Sequence, residues 1–431
     1  MLLFQQSLPG LVLRMGAYRL PRLQLPTPNS QLPTPNSQLP TPNSQLPTPN
    51  SQLPLIYLDY NRTTPLAPSV LEAMQPFWMT HFMLPGQEHA QAQAVGESLE
   101  QARESVATMV GCESFEIVFT DGGTEANNLA VFGQLASPQQ KGVGLGHVLI
   151  SSLEHDSVIA AARQAESMGY EIETFPCEVD GVVDPERVKS MLRDNTRLVC
   201  LQLANPVLGT LQPVREVADI CHNRGVRVHC DASQVFGKLP VEVTRLRVDT
   251  MSVSGHKFYG PKGSGAIYVR RGLRLSPIRF GEPREMGLRA GAENVPGCIG
   301  LGAAANLASR CSSEVADNFY EQTALFLNGL NSSLRKECVL LAEDSVRIAN
   351  TLAIEMPCEA SRIQKAARQL VFATAQSIEP ADEMTRSLQA IGCSEAQIRR
   401  TIRISLGWTT SRDEVQRAAS LLAEACDGIL P

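Results

Sequence analysis

The 431-residue chain has no apolar run long enough to span a bilayer. It has no excess of basic charge: 38 Lys and Arg stand against 44 Asp and Glu, a net charge of −6, so neither nucleic acid nor an anionic membrane is an expected partner. It has no C-x-x-C pair, and its 11 cysteines are scattered and odd in number. That argues against a structural zinc site and a disulfide framework, and for a reducing, cytoplasmic location. Pro9 and Gly10 interrupt the few apolar residues at the start and no small-residue cleavage site follows, so no secretory signal is expected. What is present is ordinary for a soluble globular protein, with 43% hydrophobic residues and length enough for two domains.

Residues 25–52 are four copies of LPTPNSQ. Two prolines per repeat deny helices and sheet ladders, and one large apolar residue per repeat cannot form a core. Residues 1–54 are therefore expected to be a disordered tail: a functionless or misassigned start, or a docking segment. From Leu55 strands and helices alternate. The runs 116–120, 147–151, 197–203, 226–230 and 249–254 read as short buried strands. Helical patterns lie at 124–135, 156–167, 185–193 and 213–224, with Asp184 as an N-cap before Pro185 and Gly225 as a stop. This alternation predicts an α/β fold with a mostly parallel sheet flanked by helices. A break near Gly291–Gly302 marks the second half. There, helical patterns at 297–336 and 413–428 and strand-like 351–356 and 401–407 predict a smaller α+β domain. The boundaries read 55–296 for the large domain and 297–431 for the small one.

Ligands of open parallel sheets bind beyond the carboxyl ends of the strands. After 116–120 comes Asp-Gly-Gly-Thr (121–124) opening a helix: Gly123 permits close backbone approach and Thr124 adds a donor, as in a phosphate cradle, although a glycine turn with a Thr cap reads the same way. After 147–151 comes His155, either a ring to stack on an aromatic cofactor or a surface histidine starting a helix. After 226–230 comes Asp231, whose buried charge needs a partner such as a pyridinium N–H, or which merely caps the next turn. Gln234 could donate to a phenolic oxygen. After 249–254 come Ser254, His256 and Lys257, ringed by glycines. Lys257 is placed to form an imine with a carbonyl, its amine partly deprotonated by burial and by nearby cations such as His256. Lys262 is the competing lysine, in a Pro-Lys-Gly turn.

Together, FTDGGTEANNLAVFG (119–133), SSLEHDSV (151–158), HCDASQVFGKLP (229–240) and SVSGHKFYGPKGSGAIYV (252–269) resemble the NifS/IscS-type cysteine desulfurases. These lie within the class V aminotransferases of the fold-type-I family, which depends on pyridoxal 5′-phosphate (PLP). IYLDYNRTTPL (56–66), GLRAGAENVPG (287–297), RIANTL (347–352), SIEP (377–380) and IRISLG (402–407) extend the likeness to nearly all of the chain outside the repeats. The resemblance implies a PLP-binding large domain with a seven-stranded sheet. It implies Lys257 as the Schiff-base and catalytic lysine, with Asp231 on the pyridine nitrogen. It gives His155 a stacking and catalytic role, Gln234 the phenolic oxygen, and Thr124, beside Gly123, Ser254 and His256 the phosphate. It also implies a homodimer, a cysteine-like substrate, a sulfur-acceptor protein and a link to iron–sulfur clusters.

Four positions depart from the family pattern. Counting back from 377–380 across the loop 371–380, the sulfur-accepting cysteine is Ala373, and a methyl group cannot form a persulfide. Pro206 replaces a cofactor-contacting Asn, Trp408 the carboxylate-binding Arg, and Ala292 a Thr that reaches the other subunit's phosphate. Three readings compete: a PLP-dependent desulfurase or an enzyme with an altered reaction, a degenerate PLP-binding scaffold or regulatory subunit, and a non-PLP phosphate-binding α/β protein.

Overall fold

The computed structural model describes residues 55–137, 145–330 and 332–429; the repeats, and the disorder expected of them, lie outside the described residues. The chain enters with β1 (Ile56–Tyr57), then builds β2 (Ile117–Thr120), β3 (His147–Ser151), β4 (Glu171–Phe175), β5 (Thr196–Cys200), β6 (Arg227–Asp231), β7 (Thr250–Ser254) and β8 (Gly265–Val269). Strands β2 to β8 form one seven-stranded sheet in the order β2-β8-β7-β6-β5-β3-β4. All are parallel except β8, which runs antiparallel to both β7 and β2. The central strands are buried along their length, as a sheet covered on both faces requires.

After β8 comes a small hairpin of β9 (Pro283–Arg284) and β10 (Arg289–Ala290), then the 35-residue helix Val295–Gly329. A second sheet follows: β11 (Val339–Leu340), β12 (Thr351–Glu355), β14 (Ala373–Thr374) and β15 (Thr401–Ser405), antiparallel in the order β11-β12-β15-β14. Phe319, Phe326, Ile354, Ile402, Ile404 and Leu422 make its core. Ile56 and Leu58 join this core, because β1 pairs in parallel with β13 (Leu370–Val371) and Asp59 bridges to Ser405. The first described strand thus packs with the last third of the chain.

The expected strands at 116–120, 147–151, 197–203, 226–230 and 249–254 all form, with ends shifted by up to three residues. Asp184 caps its helix by accepting from Glu186 N–H, and Gly225 takes φ +68° where the next helix has ended. The expected break at Gly291–Gly302 needs correction. The helix begins at Val295 and runs through Gly297, Gly300 and Gly302. A Cβ on Gly302 would lie 2.6 Å from Ala102 Cα, so this glycine serves close helix packing rather than chain reversal. Its neighbour is the helix Ala90–Val110, which the sequence reading did not single out.

Gly302→Val is expected to lower stability by about 1–3 kcal/mol through overpacking. Urea unfolding reads this as a lower midpoint at unchanged slope; an unchanged midpoint would mean the two helices are not pressed together there.

Candidate active site

The large sheet delivers its polar residues to one end. Gly123, Thr124, His155, Asp231, Gln234, Ser254, His256 and Lys257 all line one cavity of about 610 Å³, with Arg62, Asn127, Gln202, Pro206, Ser233, Lys262 and Glu383. Every site residue singled out in the sequence is on this wall, contributed by the ends of β2, β3, β6 and β7 and the segments that follow them.

The cradle comes from backbone geometry. Gly122 takes φ +138°, open to glycine, and the helix Gly123–Leu135 begins after it without a side-chain cap. A Cβ on Gly123 would lie 3.1 Å from Ser233 Oγ and 3.3 Å from Ser254 Cβ, so glycine brings the helix start against these two hydroxyl residues. An uncapped helix start offers free N–H groups and the positive end of the helix dipole to an anion.

Asp231, at the end of β6, is buried. Asn127 Nδ2 donates to its Oδ2 at 2.7 Å and Ser233 N–H to its Oδ1 at 2.9 Å. Burial opposes its charge, but the nearby His155 ring and these two donors outweigh burial and hold its pKa below the usual carboxylate range. Asn127 is fully committed. Its amide also donates to Ser157 Oγ at 2.8 Å, and its Oδ1 lies 3.0 Å from His229 Nε2. With that oxygen accepting, His229 carries its proton on Nε2, and Nδ1, 3.0 Å from the Thr250 hydroxyl, accepts. Burial pushes His229 down to about 4, so the ring is neutral. The His155 Nδ1 accepts from Ser157 N–H at 3.1 Å, which turns the ring relative to its helix.

Lys257 Nζ donates to the carbonyls of Asn61 at 2.7 Å and Arg62 at 3.0 Å. Burial lowers its pKa to about 8, with Arg403 and Arg62 adding to the fall and Glu383 and Asp231 opposing it. His256 is not the cation expected from the sequence: burial, then Lys257 and Lys262, push it down to about 4. Its Nδ1 lies 3.1 Å from the Thr63 hydroxyl. Gln234 donates to Asn61 O at 3.1 Å and accepts from buried Lys238 Nζ at 3.2 Å, which also donates to Asn61 Oδ1 at 2.7 Å.

The departing positions have specific places. Ala373 lies within β14, paired with Arg403, rather than on a loop; only 375–382 connects β14 to the helix Glu383–Ala390. Pro206 lines the cavity and accepts Asn61 Nδ2 on its carbonyl at 3.0 Å. Trp408 is turned away, stacked on Tyr259 with centroids 4.3 Å apart and donating from its indole N–H to Gly237 O at 2.8 Å. Ala292 is exposed before the long helix. The ten cysteines with described side chains are all free, burial pushes every thiol up, and none lines the cavity.

Asn127, Asn61, Lys238, Arg62 and Glu383 were not assigned from the sequence. Asn127 lies in the quoted TEANN run, one turn into the helix, where a buried amide signals a partner elsewhere.

This fold and lysine–carboxylate cavity define a class V aminotransferase, and the description Aminotransferase class-V matches residues 56–418. The cysteine desulfurase IscS of Rickettsia bellii is 34% identical over 375 residues, covering 85% of this chain and 90% of that protein. Among solved structures, a NifS-like protein aligns with a TM-score of 0.80 at 28% identity, over 87% of this chain and all (100%) of that one. SspA in complex with cysteine aligns at 0.72 and 32% identity, over 81% and 98%. The chain belongs to the NifS/IscS-type cysteine desulfurases, a PLP-dependent family.

Behind His155, Glu154 is buried, accepts from Gln202 N–H at 2.7 Å and leaves Oε2 without a partner. Burial, then Asp231, raise its pKa from 4.5 to about 8. The folded state therefore holds a proton that the unfolded chain has lost, and stability falls as pH rises from about 4.5 through about 8. Glu154→Gln keeps the shape without the charge. Its stability relative to wild type, measured by urea unfolding, is expected to improve between pH 6 and pH 9; an equal difference at both pH values would contradict a neutral Glu154.

Proposed function

We propose that this chain binds PLP in the cavity and acts on a cysteine-like amino acid, cleaving its C–S bond without a cysteine of its own in the site to take the sulfur. The observation that carries this reading is the convergence on one cavity of a lysine amine lowered to about 8 and a buried carboxylate held ionised. The residues suit the cofactor. The uncapped helix start at Gly123, with Thr124, Ser254 and neutral His256, presents hydrogen-bonding groups to a phosphate. Asp231 has neutral hydrogen-bond donors but lacks an ion-pairing Lys or Arg among the described residues, and so suits a ring N–H⁺. Gln234, its oxygen occupied by Lys238, turns its amide N–H toward the Asn61 side, where a phenolic oxygen can compete for it. Lys257 would hold the cofactor's carbonyl carbon, and His155 would cover its ring.

Bound there, PLP supplies an electron sink for charge developing at the substrate Cα. Lys257, partly neutral near pH 8, takes and returns the proton at Cα. With the described thiols raised and outside the cavity, alanine forms only when an external thiol, such as that of a sulfur-acceptor protein, takes the sulfur. Without one, sulfur leaves as sulfide and the rest of the substrate as pyruvate and ammonia. A homodimer is part of this proposal, supported by exposed Trp78, Met79 and Phe82 on one short segment. A cytoplasmic location is supported by the free cysteines, and among the described residues no helix is long and apolar enough to cross a membrane. The division at 296/297 separates the cofactor sheet from the second sheet. The second reading, a PLP-binding scaffold or regulatory subunit, is favoured by the turned-away Trp408.

Protein incubated with PLP is expected to show a visible absorption band that Lys257→Ala loses, together with at least about a hundredfold of any activity on L-cysteine. Sulfide, alanine and pyruvate are measured with and without added thiol. A colourless wild type sinks the cofactor assignment, and a coloured protein that never turns over cysteine favours the scaffold.

A further inference from the structure

Two lysines meet at Asn61, and the proposed chemistry uses only one. Lys257 Nζ donates to the Asn61 carbonyl at 2.7 Å. Lys238 Nζ donates to Asn61 Oδ1 at 2.7 Å and to Gln234 Oε1 at 3.2 Å. Lys238 is 6% exposed and lies four residues after Gln234, in the turns that follow β6. Together with Lys257 it borders a cavity of about 10 Å³, walled by Phe236, Phe258 and Tyr259. A cavity of that size holds at most one water, so no ligand pairs with the amine from that side. Among the described residues no acid pairs with it either, and the charged groups that reach it, Lys257 and Arg403, are both cations. Burial first, then these two cations, hold its pKa well below the usual amine range. The hydrogen bonds agree. An uncharged amine has two N–H groups and both are used, whereas an ammonium would leave a third without a partner.

A carboxamide has nearly the same shape either way round, so its partners decide which end faces a cavity. Lys238 takes the Gln234 oxygen, which leaves the Gln234 Nε2 to donate to Asn61 O at 3.1 Å. Asn61 is fixed from several sides. Its Nδ2 donates to Pro206 O at 3.0 Å and to Thr351 Oγ1 at 2.8 Å, and its N–H to Ser405 Oγ at 3.0 Å. Its Oδ1 accepts from Lys238 and, at 3.2 Å, from Asn350 Nδ2. The Asn61 carbonyl is thereby held where Gln234 and Lys257 converge.

We infer that Lys238 is a positioning residue for the cofactor: by donating to Gln234 Oε1 and Asn61 Oδ1 it fixes both amides, so that Gln234 meets the phenolic oxygen with its N–H and the Asn61 carbonyl stays at Lys257. The inference rests on the PLP reading above. A donor aimed at the phenolic oxygen favours its ionised, proton-free form. Without Lys238 the Gln234 amide can turn its oxygen inward, that donor is lost, and the bound chromophore keeps its proton to higher pH.

The test uses PLP-loaded full-length protein and reads the pH at which the visible band changes position. Lys238→Met, similar in length but without donors, is expected to raise that pH by roughly one unit, and Gln234→Leu to do the same. The double variant is expected to go no further than either alone, because Lys238 acts through Gln234. Lys238→Gln keeps uncharged N–H donors and is expected to recover roughly half of the shift or more. Urea unfolding supplies a second readout. Unfolded Lys238 holds its proton up to about 10.5 and folded Lys238 does not, so the cost of burying it shrinks as pH rises toward 10.5. Wild type is therefore expected to gain stability relative to Lys238→Gln between about pH 7 and pH 9; an equal difference at both pH values overturns the uncharged donor. An unmoved band in Lys238→Met, or fully additive shifts in the double variant, overturns the positioning role while the cofactor reading stands. Where Lys238→Met does not fold, a Lys238→Gln band that moves as far as that of Gln234→Leu overturns it. Wild-type protein that shows no band with PLP overturns the cofactor reading and the positioning role with it.

Discussion

A buried, ionised carboxylate is the constraint from which the rest of the site follows. Asp231 sits at the end of a central strand, where an unpaired charge costs several kcal/mol. It is kept charged by the nearby His155 ring and by two neutral donors, the Ser233 N–H and Asn127 Nδ2. Asn127 reaches it from the adjoining helix, and neutral His229, fixed by the Thr250 hydroxyl, holds the Asn127 oxygen so that its amide nitrogen faces the carboxylate. No member can turn over without stranding another. The chain therefore presents a fixed negative charge to the cavity without a permanent cation beside it, and a ring N–H⁺ has a place to bind.

Two kinds of preparation meet in this cavity. Desolvation does the work on the amines and imidazoles: Lys257 falls to about 8 and His256 to about 4. Backbone does it for the anion: Gly122 and Gly123 set a helix start against Ser233 and Ser254 with no cap of its own. Neither device needs a mobile part, and both are built on strand ends of a sheet buried on two faces.

Most of the sheet was legible because its strands are short apolar runs followed by glycine or a polar residue, as at Phe119–Gly122 and Cys230–Asp231. The same punctuation marked Thr124, His155, Asp231 and Lys257, since each lies at a strand end or within four residues of one. β4 was missed because EIETF alternates apolar and charged residues at a sheet edge, with most of its side chains part-exposed. Gly302 lies inside the helical pattern expected at 297–336, and is glycine because another helix is pressed against it. Asn127, Asn61 and Lys238 stayed hidden because their partners are far away in sequence: Asn127 meets Asp231 104 positions on, and Asn61 meets Lys238 177 positions on. A buried amide or amine has no local pattern to announce it. His256 was read with the wrong charge because only the fold reveals how deeply it is buried and how many cations surround it.

The entry strand carries one further consequence. β1 has β13 as its partner, Asp59 waits for Ser405, and Asn61 reaches Pro206, Thr351, Gln234 and Lys238 at once. During synthesis the segment that grips Lys257 is made before all of its partners: Pro206, Gln234, Lys238 and Lys257 follow in mid-chain, and β13 and Ser405 only in the last third. A nascent chain therefore carries an unfinished pocket until residues 370–371 and 401–405 have been made.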